Sequence, residues 1–202
     1  SSGIHQKMLH LHGDNTLQDA PGEPGERAFR SPASTGMDGG EWCGFGMTGE
    51  LALDQRSEDG RSLCFETAPL AERLELLGAP VIELELSSDK PVAQLAVRLC
   101  DVAPDGASTL VTYGVLNLTH RDSHENPERL DPGQPYRVRV QLNDIAQAFP
   151  EGHRLRLGFS TCYWPLIWPS PEAATLTLTT GRATLALPVR ARRAEDADLP
   201  AF

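Results

Sequence analysis

An all-β fold, a sandwich or barrel of about eight strands, is what this sequence predicts, and three observations predict it. Apolar and polar residues alternate with period two through most of the chain beyond residue 62. Turn signals separate the runs: Ser-Asp-Lys-Pro at 88–91, Ala-Pro-Asp-Gly at 103–106 and Asp-Pro-Gly at 131–133. Helical periodicity is almost missing, as expected of sheet packed on sheet.

Each strand has its own pattern. Residues 63–67 form a short run. Residues 74–86 set Ile82, Leu84 and Leu86 against Glu83 and Glu85, and residues 94–100 line up Leu95, Val97 and Leu99. Residues 109–119 are apolar on both faces, which predicts a central, doubly covered strand. Residues 136–142 alternate Tyr136, Val138, Val140 and Leu142 with Arg137, Arg139 and Gln141. Residues 154–161 alternate Leu155, Leu157 and Phe159 with Arg154, Arg156 and Gly158, the pattern of a sheet with one wet face. Residues 175–179 and 183–189 read as a closing hairpin around Thr180-Gly181-Arg182. One short helix is expected at 143–149, where Asn143 or Asp144 caps it and Pro150 ends it.

Residues 1–40, rich in Gly, Pro and Ser from Gly13 onward, read as an irregular lead-in with one short strand at 8–12. Residues 41–202 then form the sandwich, and the whole is one structural domain. At 202 residues the chain is long enough to bury a core without staples.

The formal net charge of −10 argues against a nucleic-acid partner and against an anionic membrane surface. No apolar run reaches transmembrane length and the N-terminus does not read as a signal peptide, so a cytoplasmic protein is expected. Cys43, Cys64, Cys100 and Cys162 are too widely spread for a zinc knuckle. Small buried thiols are favoured over two disulfides, without the sequence deciding the matter.

Chemistry-bearing motifs are few. Gly-x-Ser-x-Gly is absent; Gly158-Phe159-Ser160-Thr161-Cys162 lacks the final glycine and lies in a strand, so Ser160 is not expected to be a nucleophile. His10 and His12 share one strand face, and His120, Asp122, His124 and Glu125 form a polar loop. Both sets have donor types that suit a cation but neither shows a full ligand set, and a solvated surface is the favoured reading. No phosphate loop or dinucleotide fingerprint occurs, and no cofactor is expected.

The aromatic residues are more informative. Trp42, Phe45, Tyr163, Trp164 and Trp168 fall in loops, and Pro165, Pro169 and Pro171 stiffen the second of these loops. Two readings stand: the loops cover their own core, or they form an interface or pocket wall. A tryptophan surface that stacks on sugars is a further alternative, and self-association through exposed apolar loops another.

Several strings together resemble a known family. They are Leu-Gly-Ala-Pro-Val-Ile-Glu-Leu at 77–84, Val-Arg-Leu-Cys-Asp-Val-Ala-Pro-Asp-Gly at 97–106, the segment from Asn126-Pro127 to Pro135-Tyr136, and Phe-Pro-Glu-Gly-His-Arg-Leu-Arg at 149–156. Gly-Gly-Glu-Trp-Cys at 39–43 and the 163–171 loop resemble one bacterial subgroup. In order and spacing the chain resembles the C-terminal domain of the cocaine-esterase and X-Pro dipeptidyl-peptidase family of serine hydrolases. The resemblance implies a jelly-roll sandwich that follows an α/β-hydrolase domain and packs on it. It implies no catalytic residue here, because none of the family's triad maps onto this sequence. It also implies that Trp42, Cys43 and Phe45, after the Gly-Gly pair, contribute to an acyl pocket or domain interface, with Tyr163, Trp164 and Trp168 as a second contribution.

Overall fold

The computed structural model describes residues 3–41, 44–193 and 196, and shows two antiparallel sheets packed face to face. The strands, in chain order, are β1 (Ile4–Leu11), β2 (Leu17–Gln18), β3 (Gly25–Phe29), β4 (Leu63–Glu66), β5 (Leu74–Gly78), β6 (Val81–Ser88), β7 (Gln94–Val102), β8 (Ser108–Asn117), β9 (Tyr136–Gln141), β10 (Ile145–Phe149), β11 (Arg154–Ser160) and β12 (Leu176–Arg190). The larger sheet runs β10-β5-β12-β1-β2, with β3 and β6 also paired to β12 and β9 paired to β6. The smaller sheet runs β4-β11-β7-β8.

The core lies between the sheets. Leu9, Leu11, Ile82, Leu84, Leu86, Val138, Val140, Leu176, Leu178, Leu185 and Leu187 of the larger sheet meet Phe65, Leu95, Val97, Leu99, Leu155, Leu157 and Phe159 of the smaller. Phe159 anchors it, with Phe65 edge-on at 5.8 Å between centroids and Phe29 tilted at 6.4 Å.

The strand assignments depart from the sequence reading in five places. Residues 143–149 are not helical: Ile145–Phe149 is β10 and pairs antiparallel with β5, Phe149 opposite Leu74. A ladder to a distant strand outweighs the local cap signal of Asn143 and Asp144. Residues 74–86 are two strands, split at Ala79-Pro80. The expected closing hairpin is one long strand, β12. Thr179 pairs with Glu85 and Thr184 with Glu83, so residues 180–183 bulge opposite Leu84 alone. Gly181 lies in that bulge at φ +75, where a Cβ would come within 2.8 Å of the Gly22 carbonyl oxygen. The 109–119 run, expected to be central, is β8, an edge strand. Both of its faces are nevertheless partly covered, each by a local contact. A Cβ at Gly114 would meet the Gln141 carbonyl oxygen at 2.7 Å, and Tyr113 packs on Tyr163 at 5.6 Å. Finally, residues 4–29, expected to be irregular apart from one short strand, supply three strands of the larger sheet.

The face of β11 read as wet is covered. Residues 31–62 cross the outer side of the smaller sheet, so Ala96, Arg98 and Cys100 of β7 are buried on the side away from the core. A one-turn helix, α1 (Arg56–Asp59), lies in this segment. Asp59 pairs with Arg98 at 3.2 Å and with Arg156 at 2.7 Å; Glu66 of β4 holds Arg154 at 2.6 Å and also pairs with Arg156. Gly158 makes room, since a Cβ there would approach the Arg98 guanidinium at 3.1 Å. Each arginine charge leaves water only because a carboxylate meets it.

Candidate functional site

Two loops rise from this cover and carry the residues the sequence singled out. The first, residues 36–53, is tied down at its base by a buried carboxylate. Glu58 accepts the Gly36 N–H at 2.7 Å and the Asp38 N–H at 3.2 Å, and pairs with Arg61. Gln55, also buried, donates to the Asp38 and Leu53 carbonyl oxygens and accepts from Arg98 at 3.0 Å. At the tip, Glu50 accepts the N–H groups of Phe45 (2.6 Å) and Met47 (3.0 Å) on one carboxylate oxygen. The turn therefore holds Phe45 out in solvent, 87% exposed.

The second loop follows β11. Its entry is fixed by a reciprocal pair: Ser31 N–H donates to Thr161 Oγ1 at 3.0 Å, and Thr161 N–H donates to Ser31 Oγ at 3.2 Å. The Cys162 thiol donates to the Ala33 carbonyl oxygen, and Trp164 N–H donates to that of Thr35 at 2.8 Å. Gly36, at φ +107, presses against the Trp164 backbone, where a Cβ would come within 2.5 Å of the Trp164 carbonyl oxygen. The two loops are thus joined at their bases.

The sequence-predicted residues fare differently. Tyr163 is wholly buried, its ring against Tyr113 and its hydroxyl beneath Gly39. Burial pushes its phenol well above the ordinary tyrosine range. It anchors the loop rather than presenting a surface. Trp164 is half-buried and meets Trp168 edge to face, 5.2 Å between centroids at 80°. Trp168 is 77% exposed. Trp42 and Cys43 lie outside the described residues.

Sequence reasoning passed over the neighbours of these aromatics. Among the described residues, nine large apolar side chains are exposed, and Met37, Phe45, Met47, Leu51, Leu53 and Trp168 belong to these two loops. Chance scatter over the surface would not gather six of nine there. Beside the second loop, a cleft of about 360 Å³ runs between Leu166, Ile167 and the β8–β9 side, lined by Tyr113, Val115, Gln141 and Asn143. A larger cleft of about 510 Å³ opens elsewhere, between Lys7, Leu17, Leu70, Leu74 and Leu187, and none of the predicted residues lines it.

The remaining candidates show structural uses. Ser160 is buried on the covered face of β11, away from any substrate in solution. His153 Nδ1 lies 2.8 Å from Asp101 Oδ1 and ties the turn before β11 to β7. His12 Nε2 donates to the Ala20 carbonyl oxygen at 2.8 Å. Cys64, Cys100 and Cys162 carry free thiols, and burial pushes the first two up to about 12, so they remain protonated. Among the described residues, no group of three or more His, Cys, Asp or Glu is arranged to hold a metal ion.

Comparison with known proteins agrees with this architecture. The chain is 28% identical over 114 residues to the cocaine esterase of a Rhodococcus species, a match covering 55% of this chain and 20% of that protein. Among solved structures, an α-amino acid ester hydrolase superposes with a TM-score of 0.79 at 23% identity, covering 92% of this chain and 36% of the other. An aminopeptidase from a marine-sediment Thaumarchaeota archaeon superposes at 0.81 with 19% identity, covering 93% and 37%. These likenesses show the fold, and the chain spans about a fifth of the cocaine esterase it matches. The sequence profile of the X-Pro dipeptidyl-peptidase C-terminal non-catalytic domain matches residues 3–195, nearly the whole of the described sandwich, and the chain belongs to that family.

Proposed function

We propose that this chain is the non-catalytic sandwich of a serine hydrolase, and that the 36–53 and 164–168 loops pack on an α/β-hydrolase domain of the same polypeptide. One observation carries the reading: six of the nine exposed large apolar side chains among the described residues lie in two loops joined at Gly36 and Trp164. Apolar surface gathered on preorganised loops is costly to leave in water and suits a permanent intramolecular interface. Phe45, on its Glu50-held turn, then serves as a wall of the substrate pocket, excluding water from an acyl or proline-containing group. Hydrolysis itself runs through a serine on the other domain.

The edge-to-face contact of Trp164 with Trp168 favours this reading over carbohydrate binding. Stacking on sugar rings uses an open, flat aromatic face, whereas here the edge of one indole sits against a face of the other. A serine-reactive fluorophosphonate tests the division of labour: the isolated chain should stay unlabelled, and stoichiometric labelling would overturn the reading.

A further inference from the structure

The loop after β8 holds a feature that the domain's packing does not use. The Nδ1 atoms of His120 and His124 lie 3.3 Å apart, with ring centroids 5.4 Å apart. His120 is half-buried and His124 exposed.

The loop that carries them is built to hold its shape. Asn117 Oδ1 accepts from the Thr119 N–H and hydroxyl, capping the short 3-10 turn Leu118–His120. The Arg121 guanidinium donates to the carbonyl oxygens of Leu118 (3.2 Å) and Glu128 (2.8 Å) and lies over the Tyr136 ring at 4.3 Å. Glu128 N–H donates to the Thr119 carbonyl oxygen at 2.8 Å, and Asn126 N–H to Ser123 Oγ at 3.0 Å. Between residues 117 and 128 the backbone is laced at both ends, so the two imidazoles are brought together without further ordering of the chain.

We infer that His120 and His124 form a surface chelate for a borderline divalent transition metal such as zinc, with water completing the coordination shell. Imidazole nitrogens are the donors such ions favour. Two donors at the observed separation, each about 2.05 Å from a shared ion, subtend about 107° there, close to the tetrahedral angle. Without metal, one ring donates its Nδ1–H to the other; on binding, that ring moves its proton to Nε2 through solvent exchange, so both Nδ1 lone pairs reach the ion and both imidazoles stay neutral. Two protein donors make an open, exchangeable site rather than a closed structural one. The carboxylates of Asp122 and Glu125, neighbours in the chain, add negative charge to the loop without being required as ligands.

Calorimetric titration of the whole chain with zinc chloride tests this. The expected result is saturable binding of one ion per chain with a Kd in the micromolar range. His124→Ala and His120→Ala should each weaken it at least roughly tenfold, while His10→Gln with His12→Gln leaves it unchanged. His124 is exposed, so His124→Ala should fold as the parent does, and an unchanged melting curve checks that. No saturable uptake, or uptake that is equal in His124→Ala, would overturn the inference.

Discussion

The Arg98 guanidinium is wholly buried on the outer face of the smaller sheet, 3.2 Å from the carboxylate of Asp59 in the one-turn helix α1. Asp59 also holds Arg156 of β11 and accepts from the Ser108 hydroxyl of β8. One carboxylate therefore connects the 31–62 cover to three strands of the sheet beneath it. Replacing it with Ala leaves the fully desolvated Arg98 guanidinium without a carboxylate, while Arg156 keeps Glu66, and should cost about 3–5 kcal/mol. Arg137→Ala, which removes an exposed partner of Glu83, should leave the denaturation midpoint almost unmoved. Urea denaturation of the two variants checks the contrast.

Gly36 is the second attachment of the cover. Its φ of +107 and its close approach to the Trp164 backbone leave no room for a Cβ. Gly36→Ala should destabilise by about 1–3 kcal/mol through strain alone. It should also loosen the 164–168 loop, seen as faster amide exchange at Trp164 and Ile167, whose N–H groups bond within this junction. Gly133→Ala, at a similar positive φ but with open space around it, should loosen nothing at Trp164.

Alkaline pH should weaken the fold. Cys64 and Cys100 are pushed up to about 12, burial being the largest cause, while an unfolded thiol titrates near about 8.5. Between these values the unfolded chain loses protons that the folded chain keeps. The stabilisation is therefore complete below the unfolded value and is lost as pH rises toward the folded one. Tyr163, raised by burial, acts with the same sign. Denaturation midpoints should fall from pH 9 toward 12, and Cys64→Ala with Cys100→Ala should flatten that fall.

If the two apolar loops form the domain interface proposed above, the chain on its own should pair with itself. Sedimentation velocity should show association that grows with concentration and weakens in Phe45→Ser with Trp168→Ser, the two most exposed large apolar residues among those described. A strict monomer at high concentration would count against the loops as an interface.

Much of the fold was legible where a strand has one core face. Leu155, Leu157 and Phe159, or Val138 and Val140, alternate because a pleated strand sends successive side chains to opposite faces. Misreadings came where long-range pairing decides. Nothing local to residues 143–149 shows that Gly78 to Leu74 lie alongside. Nothing local to Thr180-Gly181-Arg182 distinguishes a bulge from a turn. The wet-face reading of Arg156 failed because period two reports that a residue is polar, not whether Asp59 and Glu66 arrive to cover it. At the candidate site, the loop aromatics were visible as composition, but their roles depend on depth. Tyr163 and Trp168 are five residues apart in one proline-rich loop, one buried against Tyr113 and the other in solvent. The exposure of Met37, Met47, Leu51 and Leu53 was not foreseen, because single apolar residues among glycines carry no period.

The most direct test mixes this chain with the α/β-hydrolase domain proposed above to share its polypeptide, expressed separately, and measures binding by titration calorimetry. The account predicts saturable one-to-one association that Phe45→Ser with Trp168→Ser weakens at least roughly tenfold, about 1.4 kcal/mol, with the variant's own stability unchanged. No association, or association equal for the variant and the parent chain, would contradict it.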